Sequence, residues 1–431
     1  MDIYLLTRRY KIMNDPHSAL DKDFKNKIIQ LMKADAVLPS DINCQQAGKA
    51  STSAKAILLI GATGIVGPYL LREMLRQTEA VIYCLIREQP EISLEQYLKR
   101  HLAAYRLEDI YQGSRIVCVA GDIAKANLGM SAEDYQFLAN KIDIIFHSAA
   151  WTNHIRPYAV LDDPAAIDLR KTNTLSVLHS LRLAVDTKIK PFHFISTIGA
   201  INREDLSGNL VEELPQLDNF DENMNSGYIQ SKFVAEKLVY QAIWRGVPSC
   251  VYRLGQITGD SVSGLHYADK DHMMLELKSC IQLGYAPDWS DHRSFVAVDI
   301  AADIIVAMMN QGDRYSGGVN VQNPGVISWR EIIAALCKYG YKIEMIPEIE
   351  WIKKMEKLDK SNALYPLRMC YRADDGFLEQ VPALRKMFNG RVQIDKILDV
   401  MQTNTIDFPS GKVLMEKYIQ YFIDSKFFPA P

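Results

Sequence analysis

The strongest constraint on the fold is an alternation that begins at Ala56. Short apolar runs recur along the chain, AILLI (56–60), AVIYCLI (80–86), RIVCVAG (115–121), IDIIFHSA (142–149), PFHFIS (191–196) and SCVYRLG (249–255), with amphipathic stretches between them. Runs without polar alternation suit strands buried on both faces, and the intervening stretches suit helices. The pattern predicts βαβ units in an α/β fold: a Rossmann-type doubly wound parallel sheet. Beyond Gly255 the pattern turns irregular, and helices dominate from Trp329, which predicts a smaller, mainly helical C-terminal substrate subdomain. Ahead of the alternation, Phe24, Ile28, Leu31 and Met32 recur at helical spacing, and the polar QQAGKASTSAK (45–55) reads as a linker.

Composition excludes several classes. A chain of 431 residues needs more than one small core, and 48% hydrophobic with 23% charged residues is ordinary for a soluble globular protein. A net charge of −3 without basic clusters argues against nucleic-acid binding. Seven cysteines with no C-x-x-C pair fit buried thiols in a reducing compartment better than disulfides or zinc. MDIYLLTRRYK is too short and too soon interrupted by arginine for a signal peptide, and no stretch approaches bilayer length. A cytoplasmic protein without a membrane segment is expected.

ILLIGATGIVGPYLLREML places Gly61, Gly64 and Gly67 between the first strand and a helix. The first glycine permits a tight turn, the second lets backbone amides approach a pyrophosphate, and the third lets helix and strand pack closely. The helix N-terminus then favours the anion. Glycine triplets are common on surface turns; the strand before and helix after are what point to a nucleotide. Arg87 stands 20 residues beyond Gly67, at the end of the second strand. An arginine there suits the 2′-phosphate of NADP, whereas Glu88 beside it suits the ribose hydroxyl of NAD. Asp122 closes the third strand where an adenine amino group can be held. HSAAW (147–151) ends the fourth with small residues.

SGYIQSKFVAEKL (226–238) sets Tyr228 and Lys232 four apart on a helix. A carbonyl that accepts hydride becomes an oxyanion and needs a proton donor. Tyr228 can donate if a lysine one turn away pulls its phenol pKa down. FISTIGA (194–200) offers Ser196 and Thr197 at a strand's C-terminal end, where ligands gather in open α/β sheets. Y-x-x-x-K alone occurs on many helices by chance. The order of glycine loop, basic strand end, Ser-Thr and Tyr-x-x-x-Lys gives the pair its weight.

With these residues in place the chain resembles the extended short-chain dehydrogenase/reductases, and within them the thioester reductase (R) domains. These domains end some nonribosomal peptide and polyketide synthetases and carboxylic acid reductases, and are related to fatty acyl-CoA reductases. The likeness runs from LMKADAVLPSDI (31–42) to ISWREIIAAL (327–336) and is most specific over GYIQSKFVAEKLVYQAIWRGVPSCVYRLGQITGDSVSG (227–264). It implies catalytic roles for Thr197, Tyr228 and Lys232, with Thr197 rather than Ser196 as the active hydroxyl. It implies cofactor contacts from Gly61, Thr63, Gly64, Ile65, Val66, Gly67, Arg87, Asp122, Ile123, Ala149, Ala150, Asn173, Tyr228, Lys232, Gly255 and Ile257, and no metal. The family's R-P-G is RLG here (253–255), its PVD has become AVD with Ala297, and a second arginine after the second strand is replaced by Tyr97.

The resemblance implies NADPH-dependent reduction of a carrier-bound acyl or peptidyl thioester to an aldehyde, with a further hydride giving an alcohol. The division expected is a leader over 1–54, an NADP-binding domain over 55–260, and a substrate or lid region over 261–431, with 295–325 returning to the Rossmann core. GDSVSG (259–264) lies after a strand rather than on a carrier-like helix, so the expected partner is a separate phosphopantetheinylated carrier protein acting on a monomer in trans. Alternatives are an extended-family enzyme acting on a small carbonyl or nucleotide sugar, a fatty acyl-CoA reductase, and a non-catalytic NADP sensor, which has no need of a proton donor. His266, Asp269, Asp271 and His272 in GLHYADKDHMMLELK (264–278) match no metal-ligand spacing and read as a polar substrate-side loop. MEKYIQYFIDSKFF (415–428) reads as an amphipathic helix packed on a core rather than a partner or membrane helix.

Overall fold

The computed structural model describes residues 19–44, 54–113, 115–154, 156–163, 165–213, 226–371 and 386–431. Seven strands form the central sheet: β1 (Ala56–Ile60), β2 (Val81–Ile86), β3 (Ile116–Ala120), β4 (Ile144–His147), β5 (Phe192–Thr197), β6 (Ser249–Leu254) and β7 (Gly317–Val321). Their order is β7-β6-β5-β4-β1-β2-β3, and every pairing is parallel. The order reverses between β1 and β4, the switch point at which doubly wound sheets open a crevice. Ile60 pairs with Leu85 on one side and His147 on the other, so all three strands end level at that crevice.

The helices are α1 (Ala19–Asp35), α2 (Gly67–Gln77), α3 (Leu94–Ala104), α4 (Ala132–Lys141), α5 (Ser176–Val185), α6 (Gly227–Trp244), α7 (His272–Leu283), α8 (Val298–Met309), α9 (Trp329–Lys338), α10 (Glu348–Met355), α11 (Asp395–Asn404) and α12 (Gly411–Asp424). Strand side chains alternate between faces. Ile57 and Leu59 join α2, α3, α8 and α11 in one core, and Leu58 and Ile60 join α4, α5 and α6 in the other. Both faces are therefore dry, which is why the strand sequences carry no polar alternation.

Gly317–Val321 is not among the six apolar runs, because GGVNV holds two glycines and an asparagine. The glycine at 318 has a packing reason: a Cβ there would lie 2.2 Å from the Glu212 carbonyl oxygen. A neighbouring segment runs against β7 too closely for a side chain.

In the leader, Ile28 and Met32 of α1 are buried against Phe233 and Val234 of α6. Asp35, at the end of α1, accepts two hydrogen bonds from Arg170, at 2.6 and 2.8 Å, and one from Tyr158 at 2.7 Å. Most of the linker, residues 45–53, lies outside the described residues. A third core gathers α7, α9, α10 and α12 around Trp329, Trp351, Leu414, Tyr418 and Phe422. The aromatic C-terminal stretch thus packs inward. Among the described residues no helix is long and apolar enough to cross a membrane. Cys84, Cys250 and Cys280 are buried free thiols, whereas Cys337 is exposed.

Candidate active site

A cleft of about 1480 Å³ runs along the C-terminal ends of the strands and under the helical subdomain. At one end β1 turns into α2. Gly61 has φ +104°, and a Cβ on it would lie 2.6 Å from the Ala149 amide nitrogen, so only glycine lets the loops after β1 and β4 meet. A Cβ on Gly67 would fall 2.0 Å from the Gly61 carbonyl oxygen. Gly67 thus sits behind the loop as a packing glycine and does not reach the cleft. Gly64 differs: its Cβ would meet only the Gly61 oxygen, at 3.3 Å, and its outer side opens to the cleft. Val66 caps α2 without a side-chain hydrogen bond and Pro68 follows, so the first-turn amides are left for a ligand.

Thr63, Ile65, Val66, Arg87, Asp122, Ile123, Ala149, Ala150, Gly255 and Ile257 line the same cleft with Gly61 and Gly64. Arg87 lines it and its neighbour Glu88 does not. Asp122 is held by the Ala124 amide at 3.0 Å. Asn173 is fully buried behind the wall: its Oδ1 accepts from the Trp151 amide at 2.8 Å, and its Nδ2 donates to the Trp151 carbonyl at 3.1 Å and to Ser231 Oγ at 2.9 Å. Ser231 in turn donates to the Tyr228 carbonyl at 2.7 Å. Asn173 therefore fastens the loop after β4 to the first turn of α6.

Thr197, Tyr228 and Lys232 line the same cleft. β5 ends at Thr197, whose Oγ1 accepts from the Gly199 amide at 3.3 Å. That leaves the hydroxyl proton to point at a bound group. Ser196 also lines the cleft, but its hydroxyl is committed: it donates to the buried Glu236, which also binds Arg253 at 3.0 Å and Tyr240 at 2.8 Å. This network commits one hydroxyl of the pair and frees the other.

The tyrosine–lysine pair departs from the sequence expectation. Burial pushes the Tyr228 phenol up to about 12, offset in part by its hydrogen bond with Thr152. Lys232 Nζ donates to the Ile195 carbonyl at 2.8 Å and lies 4.6 Å from the Phe194 ring centroid. Burial pulls its pKa down to about 7, against the attraction of Glu236. Lys232 thus does not lower the phenol directly; its ammonium is anchored to β5 beside it. His154, missed in the sequence, meets the Tyr228 ring edge-on with centroids 5.1 Å apart, and its Nδ1 lies 3.3 Å from Ser226 Oγ. Extending the post-β4 stretch past HSAAW, through Thr152 to His154, was the signal that could have found this wall.

The far end is built by the 264–278 loop and the helices beyond. His266 Nε2 hydrogen-bonds Asp271 Oδ2 at 2.9 Å, while Asp271 Oδ1 caps α7 by accepting from the Met273 amide at 2.9 Å. Those groups hold each other, and among the described residues no His, Cys, Asp and Glu cluster is arranged to bind a metal ion. Gln256 and Met273 also line the cleft, joined by a 3.3 Å contact.

Comparison with known proteins agrees with this geometry. Residues 59–309 match the NAD-binding family model described as male sterility protein. The chain is 35% identical over 72% of its length to a component of the linear gramicidin synthase of Brevibacillus parabrevis, covering 6% of that protein. It is 32% identical, again over 72%, to the L-2-aminoadipate reductase large subunit of Eremothecium gossypii, covering 23% of it. The chain therefore spans less than a quarter of these relatives. The terminal R domain of the myxalamid PKS-NRPS pathway superposes with a TM-score of 0.81 at 30% identity, over 94% of this chain and 99% of that one. By sequence and structure, the chain belongs to the NAD-binding reductase family as an oxidoreductase of the thioester reductase, or R-domain, type.

Proposed function

We propose that the chain reduces an acyl or peptidyl thioester carried on the phosphopantetheine arm of a carrier protein, using NADPH and releasing an aldehyde, with a second round giving the alcohol. One observation carries the reading: the glycine loop, Arg87 and the Thr197–Tyr228–Lys232 group share a single cleft that continues under the helical subdomain. The likeness to the myxalamid terminal R domain and to the linear gramicidin synthase supports the thioester class. Residues 55–260, with 295–325, form the cofactor unit in this reading, and the rest of 261–431 the substrate side. The carrier acts in trans on a monomer.

NADPH, when bound, supplies the hydride. The open face of Gly64 and the uncapped amides of α2 suit its diphosphate, and Arg87 in the cleft wall suits the 2′-phosphate. Tyr228 and Thr197 hold the oxygen of the thioester carbonyl as negative charge builds on it. Tyr228 donates the proton, since its phenol stays protonated up to about pH 12. Collapse of the thiohemiacetal then breaks the carbon–sulfur bond and frees the carrier thiol. Lys232 lends positive charge to that pocket from its anchor on β5.

The test is NADPH absorbance with an acyl-pantetheine thioester and with the same acyl group on a carrier. Tyr228→Phe should lower turnover by about 10²–10⁴-fold with folding unchanged. Full turnover by that variant overturns the catalytic assignment, and equal efficiency on soluble and carrier-bound thioesters overturns the carrier.

A further inference from the structure

Arg293 lies on a short two-stranded ribbon in which His292 and Arg293 pair with Ser328 and Ile327. Its side chain is only 3% exposed, yet it lines the cleft. A guanidinium carries five N–H donors. Among the described residues Arg293 makes one hydrogen bond, from Nη1 to the adjacent His292 carbonyl at 2.9 Å. Aromatic rings surround the rest, with the centroids of Phe388, Trp329 and Trp289 at 4.7, 5.4 and 5.8 Å. Such a cage desolvates the charge and fixes the plane of the fork without satisfying its donors.

Nearby carboxylates do not fill that role. Asp288 is paired with Arg330 at 2.6 Å, Glu348 accepts from Trp289 Nε1 at 2.9 Å, and Asp271 is engaged by His266. Asp291 stands 4.0 Å from Nη1, beyond hydrogen-bond range. None of its nitrogens is among the buried atoms left without a partner, so the open donors are reachable from the cleft, where a bidentate anion would complete the fork. The other Lys and Arg in the described wall are Arg87, beside β2, and Lys232, anchored to β5. Arg293 is therefore the cation of the substrate end. Its positive charge adds to burial in holding the His272 pKa down at about 4.

We infer that Arg293 is a specificity-determining residue that takes an anionic group, carboxylate or phosphate, carried by the substrate. The inference rests on the thioester reading of the cleft. An acyl group ending in a carboxylate is one source of the anion, and the phosphate of a phosphopantetheine arm is the other.

The experiment measures binding by calorimetry to the full chain saturated with NADP⁺, using non-reducible thioether analogues. Three ligands are compared: alkyl-pantetheine, ω-carboxyalkyl-pantetheine of equal length, and alkyl-phosphopantetheine. Wild type should bind at least one anionic analogue about ten- to a hundredfold tighter than the neutral one, and which one identifies the source. R293Q should abolish that preference while binding the neutral analogue within about twofold of wild type. Should R293Q not fold, R293K, which keeps the charge but loses the fork, should cut the preference at least threefold. Equal binding of all three ligands by wild type, or a preference unchanged in the variant, overturns the proposal. Turnover of carrier-bound thioesters, with an octanoyl and with an ω-carboxyacyl group, is scored separately: no turnover of either sinks the thioester reading, while the binding comparison still decides the anion site.

Discussion

Lys232 is the residue whose chemistry depends most on its surroundings. Its side chain sits among Phe194, Ile195 and Glu236 with 2% exposure, and burial holds its pKa at about 7. The sign is that of a depressed base: the ammonium is present below about pH 7 and lost above it, far earlier than for a free lysine. kcat/KM for NADPH-dependent reduction should therefore fall as pH rises through about 7, in a pH–rate profile at saturating cofactor. A profile flat between about pH 6 and 9 would show that the ammonium is not required. Asn173 poses a different test. Its carboxamide joins Trp151, 22 residues away, to Ser231, 58 residues away. Asn173→Ala should cost about 1–3 kcal/mol in a denaturant titration and lower kcat by loosening the turn that carries Tyr228. The spacing of Tyr228 and Lys232 was legible because it is local. The latch was not, because its partners meet only once the loop after β4, the segment leading into α5 and the first turn of α6 come together.

At the scale of elements, the β1–α2 unit separates two kinds of glycine. A methyl on Gly67 would collide with the Gly61 backbone oxygen at 2.0 Å, and backbone cannot move aside as a flexible side chain can. Gly67→Ala should push α2 off β1, lowering stability by about 1–3 kcal/mol and abolishing NADPH binding. A methyl on Gly64 meets one atom at 3.3 Å and otherwise projects into the cleft. Gly64→Ala should fold with nearly wild-type Tm and weaken only the cofactor, read by quenching of tryptophan fluorescence. Equal loss of Tm in both variants would contradict this division. The glycine spacing identified the turn, and the apolar runs placed β1 to β6, because strands buried on both faces announce themselves. β7 escaped because its glycines answer to the Glu212 backbone, a contact made across the fold.

At the scale of the whole molecule, the question is what holds the substrate end to the cofactor end. The two meet where α12, from the end of the chain, reaches the turn after β6. Tyr418 is fully buried, and its hydroxyl donates to the Gly259 carbonyl at 2.8 Å and lies 2.9 Å from Thr258 Oγ1, 160 residues away in sequence. Thr258 and Gly259 both line the cleft, directly after the segment that includes Gly255 and Ile257. The apolar spacing of the C-terminal stretch pointed to a packed helix but could not name the turn it packs on, since nothing local encodes that choice. Tyr418→Phe keeps the ring among Phe295, His266 and Phe422 and removes only the hydroxyl. It leaves the Gly259 carbonyl and Thr258 hydroxyl short of a partner, a loss of about 1–3 kcal/mol. If the hydroxyl merely stabilises the helical core, Tm falls and KM for substrate and cofactor stay put. If it fixes the roof of the cleft, KM for the thioester rises several-fold at temperatures well below the transition, with kcat little changed. The position of Thr258 and Gly259 in the cleft wall favours the second result. Steady-state kinetics at 25 °C beside a melting curve decide between them, and a fall in Tm with unchanged KM would assign Tyr418 to packing alone.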